Sequence, residues 1–209
     1  MTFSDITIHA MAERVITYTG YMARWQPDAR ERLERAAFDL FVEQGFASTT
    51  VPQIAARAGL STRTFFRHFA DKRDALFADE HAVPDQAGRI VAEAPDGITP
   101  LQIVASGFDA VAAAQFSREK SYYIARHQII QSDDGLRERQ LHTQAALVEA
   151  LRSGFVQRGS DPVDALLAAH LTATVFSVSI GRWLSAESTE PLATLLRDTF
   201  DRMLRTAAS

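Results

Sequence analysis

Cysteine is missing from all 209 residues, which excludes disulfides, thiol nucleophiles and thiolate metal sites and leaves a cytoplasmic location unopposed. Lysine is nearly missing too: only Lys72 and Lys120 occur, so the positive charge is almost all arginine. Several catalytic signatures do not occur: H-E-x-x-H, G-x-S-x-G, G-x-G-x-x-G, the phosphate-binding loop, and the E-x-x-H pair of helical carboxylate metal sites. His9, His68, His81, His127, His142 and His170 are scattered without metal-ligand spacing. No catalytic residue, metal site or cofactor is therefore expected. No stretch alternates convincingly as a strand does, and no segment repeats.

What is present is ordinary in bulk and uneven in detail. Apolar residues make up 46% and charged residues 23%, enough for one large helical domain or two small ones. The formal net charge is −4, yet Val51 to Arg73 holds five basic residues against the single acid Asp71, a local +4 that leaves the rest of the chain at −8. A basic patch on an acidic protein points to a local, negatively charged partner.

That patch lies in the most legible stretch, Thr49 to Phe77. Thr50 and Gln53 form a T-x-x-Q capping box, with Pro52 in the first turn of the helix it opens. Gly59 stands where that helix should end in a left-handed residue, and Ser61 can cap the next one. In this second helix Phe65 and Phe69 share a face at i and i+4, so the opposite face carries Arg63, Phe66 and Arg67, with Thr64 on one flank and Thr62 near the start. Arginine can pair with guanine in two bonds, and threonine can meet a base edge or a thymine methyl, so such a face suits a DNA major groove. Asp71 opens a third helix, and Lys72 in its first turn is placed to grip a phosphate. The same pattern would also fit a plain helical hairpin with a solvated arginine face.

The stretch resembles the DNA-binding domain of TetR-type (TetR/AcrR) transcriptional regulators. The residues that carry the likeness are Gly45 and Phe46, Thr49 to Val51, Ile54 and Ala55, Ala58 and Gly59, Ser61, Phe66 to Phe69, and Lys72, dense over residues 28 to 77. Phe66 stands where the family usually has a tyrosine whose hydroxyl commonly reaches a phosphate, and Arg63 stands where glycine is frequent. The resemblance implies an all-α fold, with an N-terminal helix-turn-helix domain and a C-terminal bundle for ligand binding and dimerisation. On this reading Thr50, Gln53, Thr62, Arg63, Thr64, Phe66, Arg67, His68 and Lys72 face double-stranded DNA, an inverted-repeat operator read by a homodimer. The chain would be a ligand-responsive repressor. A helical enzyme or ligand carrier retaining a vestigial helix-turn-helix is the alternative, and salt-dependent binding to duplex DNA separates the two.

Three regions follow. Residues 1–26 show no clear period and read as a poorly ordered extension. Met11 and Met22 are possible later starts, Arg14 is the first basic residue, so the charged start of a signal peptide is missing, and Arg24 could serve as a basic arm. Residues 27–83 form the DNA-binding domain, with the helix-turn-helix at about 50–69. Asp28 and Glu31 start its first helix, and Leu33, Ala36, Ala37, Leu40 and Phe41 give that helix one apolar face. Its fourth helix is expected to run from Asp71 to about Val83, where Pro84 interrupts.

Residues 84–209 read as helix after helix, over about 85–94, 100–117, 118–131, 134–157, 162–185 and 191–207, with turn chemistry between them. Residues 165–181 carry no charge, close to the lower limit for a membrane span; the polar His170, Thr172, Thr174, Ser177 and Ser179 argue instead for burial between helices and against a second subunit. No membrane association is expected. The resemblance assigns the dimer interface to 162–185 and 190–206, and a charge at Val175 is expected to split it. Tyr123 and His127 share one helix face, and Tyr122 and Arg126 another. With Phe108 and Phe116 on the preceding helix, Tyr123, Arg126 and His127 could line a pocket for a small-molecule effector, or the aromatics could be plain core with Arg126 a surface charge.

Overall fold

Ten α-helices and no strand make up the described residues, 28–116, 118–185 and 187–207, of the computed structural model. They are α1 (Ala29–Gln44), α2 (Val51–Arg57), α3 (Thr62–His68), α4 (Lys72–Leu76), α5 (Ala82–Glu93), α6 (Pro100–Gln115), α7 (Lys120–Gln131), α8 (Asp134–Gln157), α9 (Pro162–Leu184) and α10 (Leu192–Ala207). The expected extension over 1–26, with Arg24, lies outside the described residues.

The N-terminal helices start and stop where local chemistry dictates. The Asp28 carboxylate accepts the Arg30 N–H at 3.1 Å, and α1 buries Leu33, Ala36, Ala37, Leu40 and Phe41 before Gly45 turns out of it at φ +84°. At the end of α2, Gly59 takes φ +65°, which lets its own N–H reach the Ala56 carbonyl and the Leu60 N–H reach the Ala55 carbonyl, closing the helix end. Arg32 of α1 donates to the Ala58 carbonyl at 2.5 Å, so the turn is tied to the helix behind it.

Helix α4 is shorter than expected. A proline ring crowds the carbonyl four residues back, so a helix through both Glu80 and Pro84 would kink or break there. The chain resolves this by ending α4 at Leu76, turning through Phe77 to His81, and restarting at Ala82. Pro84 then falls in the first turn of α5, where a missing N–H costs nothing. The interruption expected at Pro84 thus sits at 77–81, and the helix expected from Asp85 begins at Ala82.

Two apolar cores result. The N-terminal one joins α1 to α4 around Phe41, Ile54, Phe65, Phe69 and Phe77, and it also takes in Ile129 and Ile130 of α7 and Leu136 of α8. The C-terminal one gathers α5, α6, α8, α9 and α10 around Val91, Ile103, Phe155, Ala169, Val175 and Leu196. Where they meet, Arg139 of α8 holds Asp74 of α4 at 2.6 Å and pairs with both carboxylate oxygens of Glu80, at 2.9 and 3.0 Å, while lying over the Phe77 ring.

This clamp has a pH signature. Arg139 holds the Glu80 carboxyl below its ordinary 4.5 despite burial. Burial pushes Asp74 up, but the Ala70 N–H and Arg139 outweigh it and keep the group below its ordinary 3.8. Depressed carboxyl values mean stability that is complete above the unfolded values and is lost as pH falls through the folded ones. Arg139→Met is therefore expected to lower the melting temperature near about pH 7, with the gap to wild type closing in acid below roughly pH 4. A gap that stays constant across that range would show that Arg139 acts by packing and not by charge.

Helix α9 is, among the described residues, the one long and apolar enough by length and composition to cross a membrane. Here it packs on α8 and α10, burying Ala165, Ala168, Ala169, Val175 and Trp183, with the Ser179 hydroxyl donating to the Leu195 carbonyl at 3.2 Å. Arg182 pairs with Asp198 at 2.6 Å across the same seam. Val175 is 1% exposed inside this monomer core, so a charge there would unfold the bundle rather than report on a second subunit. The apolar residues left on the outside are Val163, Leu166, Leu167, Leu171 and Val178.

Candidate nucleic-acid interface and internal cavity

Helix α3 presents two opposed faces. Ser61 accepts the Thr64 N–H at 3.1 Å and fixes the first turn. From there Phe65 (0% exposed) and Phe69 point into the core, their ring centroids 5.4 Å apart. Thr62, Arg63, Phe66 and Arg67 stand on the outside, and Phe66 is 60% exposed, edge-on to Phe65. Thr64 and His68 are half-buried on the flanks: the Thr64 hydroxyl pairs with the Ser61 hydroxyl at 2.9 Å, and the His68 ring lies 3.4 Å from the Arg67 guanidinium.

The basic patch is less free than its count suggests. Arg57 is spent on Glu43 through two bonds of 2.7 and 2.9 Å, and Arg73 lies 3.6 Å from Asp71. Arg63 makes no hydrogen bond or ion pair among the described residues, and the one polar contact of Arg67 among them is to the His68 ring. The cations available to a phosphate or a base edge are thus the two that flank Phe66. Thr50 and Gln53 are exposed at the start of α2, but the Gln53 carbonyl oxygen already accepts the Thr50 N–H at 2.8 Å, the Thr50 hydroxyl at 2.9 Å and the Gln44 amide at 3.2 Å. Its NH2 group is left to face outward.

Lys72 corrects the sequence reading. Its ammonium donates to the carbonyls of Phe46 at 2.7 Å and Thr49 at 2.8 Å, with Ala47 at 3.4 Å, and lies 4.3 Å from the Phe46 ring centroid. All three donors are spent on the loop between α1 and α2, so none is left for the expected phosphate contact. Burial pulls its pKa down. Lys72→Met is expected to cost about 1–2 kcal/mol of stability through the lost charge-assisted bonds. The salt dependence of DNA binding should then shift by less than one charge per subunit. An unchanged melting temperature with a full one-charge loss in salt slope would return Lys72 to the phosphate.

The second region is a half-open cleft of about 1250 Å³ lined by α1, α4, α5, α7, α8 and α9 and the segment around Phe116, which reaches the outward-facing Val178 on α9. Phe116, Tyr123, Arg126 and His127, expected there, all line it. Phe108 does not: its ring packs 5.5 Å from Phe200 in the C-terminal core, beside a separate apolar cavity of about 50 Å³. Sequence reasoning put Phe108 and Phe116 together because both are aromatic on one helix, but eight residues place them at different levels of the bundle. Phe116 stacks with Tyr123 at 5.1 Å and with Phe176 at 6.0 Å, and Phe38 meets Tyr122 at 4.3 Å. Phe38, Phe176, Glu34 and Arg118 also line the space and were not singled out from the sequence. Tyr122, placed by the sequence on the Arg126 face, lines it too.

Arg126 is no surface charge. Its guanidinium is ringed by protein 5.1 Å from the Phe77 ring centroid, makes one long bond of 3.4 Å to the Leu76 carbonyl, and turns part of its surface to the cavity. Burial pulls its pKa down against the pull of Tyr122 and Asp79. By contrast the nearby Glu34 is paired with Arg30 at 2.9 Å, yet burial still raises its pKa. No cluster of His, Asp or Glu that could hold a metal ion occurs among the described residues.

Comparison with known proteins agrees with this geometry. Residues 34–78 match the family of bacterial regulatory proteins, tetR family. The transcriptional regulator TcmR of Streptomyces glaucescens is 39% identical over 82 residues, 39% of this chain and 36% of TcmR, so the match spans about a third of that relative's length. Among solved structures, FadR of Thermus thermophilus, a transcriptional repressor in complex with lauroyl-CoA, is 25% identical with a TM-score of 0.52, covering 84% of this chain and 93% of its own. NalD of Pseudomonas aeruginosa, the secondary repressor of a multidrug efflux pump, is 21% identical with a TM-score of 0.61, covering 86% of this chain and 97% of its own.

Proposed function

Since the chain carries the DNA-binding domain of TetR-type regulators on that family's all-α fold, we propose that it is a transcriptional repressor that binds an inverted-repeat operator as a homodimer and leaves it when a small molecule fills the cavity. The observation that carries this reading is the outward face of α3, where Arg63 and Arg67 flank an exposed Phe66 with no internal carboxylate to neutralise them. On this reading residues 27–83 form the DNA-binding unit, 84–209 the ligand-binding and dimerisation unit, and the protein works in the cytoplasm beside its DNA.

Dimerisation is supported by the outer face of α9. Val163, Leu167, Leu171 and Val178 recur at four- and seven-residue intervals, so they line one side of the helix, and Leu204 of α10 is exposed as well. An apolar stripe of this kind on 162–185 and 190–206 suits a two-fold partner. Two α3 helices would then enter successive major grooves about 34–36 Å apart. Effector control would be a population shift: a ligand that prefers a differently spaced dimer weakens DNA binding by its differential affinity and no more. FadR, solved with lauroyl-CoA, is a neighbour in fold whose structure holds a small molecule, which supports a ligand for the cavity here.

Selection of duplex fragments from a random pool tests the proposal. The enriched sites should be inverted repeats, bound with a steep dependence on salt. Enrichment of direct repeats or unpaired half-sites would reject the symmetric dimer. No enrichment at all would favour a helical carrier or enzyme that has kept the α2–α3 motif without its use.

A further inference from the structure

Arg126 is the feature of the cavity that its neighbours leave unexplained. Of the other charged side chains that line it, Glu34 has Arg30 and Glu80 has Arg139, while Arg118 lies over the Tyr122 ring and Asp79, like Arg126, has no ion pair among the described residues. Arg126 has no ion pair among the described residues; Asp79 and Glu80 act on it only from beyond pairing distance. A guanidinium offers five N–H donors in a planar fork and stays charged under all ordinary conditions. Here one donor makes a long bond to a carbonyl, and the ring of Phe77 takes one face. A half-buried cation left this incompletely paired costs stability unless something completes it.

The cavity around it is amphipathic in a definite direction. On the side of α4 it offers the Arg126 fork, with Glu34 and Glu80 held by their own arginines and Asp79 nearby. Elsewhere it offers Phe116 after α6, Tyr123 on α7, and Phe176, Ile180 and Leu184 on α9. Its volume of about 1250 Å³, which includes the open mouth of the cleft, leaves room for a small-molecule site of the usual ~300–1,000 Å³. We propose that the cavity takes an organic anion with an apolar body, its carboxylate or equivalent oxyanion paired in the plane of the Arg126 guanidinium and its body lying against Phe116, Tyr123 and Phe176. This rests on the cavity being the effector site. Bidentate pairing with an oxyanion is the geometry the guanidinium fork fits best, and it supplies the compensation that the protein itself withholds.

Two fluorescent probes that differ in one group make the test: anilinonaphthalene sulfonate, which is an anion, and its uncharged parent N-phenylnaphthylamine. Wild-type protein should bind the sulfonate about tenfold or more tightly than the amine, and Arg126→Gln should remove that preference while leaving the amine's affinity unchanged. Arg126→Met repeats the experiment with a side chain that packs without burying an amide, so a folding defect in one variant does not end the test. Equal affinity of the two probes in wild type, or an equal loss of both in the variants, would overturn the anion while leaving the cavity a binding site. Failure of both probes to bind wild type would instead overturn the effector site, and the anion with it.

Discussion

Phe65→Ala is expected to lower the stability of the N-terminal core by about 3–5 kcal/mol, whereas Arg63→Ala, two residues away, should leave folding unchanged and cost roughly 1–3 kcal/mol of binding at one base pair in each half-site. The contrast follows from the helix they share. Phe65 is fully buried, with rings of Phe66 and Phe69 within 5.5 Å of its own, so its removal leaves a cavity that α1 and α2 cannot collapse into without shifting. Arg63 is exposed and makes no hydrogen bond or ion pair with a described residue, so no internal polar contact depends on it. Its place near the start of α3 is the part of a recognition helix that comes closest to base edges, and guanine is the base its fork fits. Thermal melting and DNA titration on both variants separate the two effects. Melting of the domain by Arg63→Ala, with Phe65→Ala tolerated, would show the two faces of α3 assigned the wrong way round.

The second large effect concerns assembly. Leu167→Asp should weaken the dimer by roughly 3–5 kcal/mol, because it places an unpaired carboxylate on the apolar stripe of α9 and a two-fold axis brings a second one near it. That loss corresponds to a factor on the order of hundreds or more in association. Leu167 is 57% exposed in the monomer, so the subunit itself should keep its fold. Val175→Asp is the matched control: with 1% exposure it should melt the bundle whatever the oligomeric state. Sedimentation and melting together tell the two apart. A Leu167→Asp protein that sediments as an intact dimer would move the interface elsewhere.

The contrast between Leu167 and Val175 also shows where the sequence stops speaking. The starts of α1 to α4 and the ends of α1 and α2 were legible because each has its own chemistry: an Asp, Ser or Thr that caps, a glycine that can take positive φ, a proline that fits a first turn. The end of α4 at Leu76 has no such mark and was placed too late. The two faces of α3 were legible because aromatics and arginines alternate around it at helical spacing. Along α9 no charge marks the wet side for 17 residues, so periodicity could say that the helix wanted partners but not which apolar face the monomer keeps. Lys72 was misread for a related reason. Its place in a first turn is visible in the sequence, but the three carbonyls that capture it lie 23 to 26 residues upstream and close on it only after α1 and α4 have packed. The helical neighbours of Arg126 could suggest a pocket face, while its lack of an ion pair depends on long-range packing and is visible only in three dimensions.

The placement of Ile129, Ile130 and Leu136 in the core of the N-terminal helices bears on how such a chain can be taken apart and recombined. The proposed cut between residues 83 and 84 would divide the chain by role, but three apolar side chains on the far side of it belong to the near core. A head transplanted at that cut onto an unrelated bundle would arrive with an uncovered apolar floor under Phe77 and Leu76. A functional chimera would have to carry the end of α7 and the start of α8 along with the head, or find a recipient whose corresponding surface already has the same shape. The unit that can be exchanged between relatives is therefore defined by packing, and it is larger than the unit proposed to read DNA.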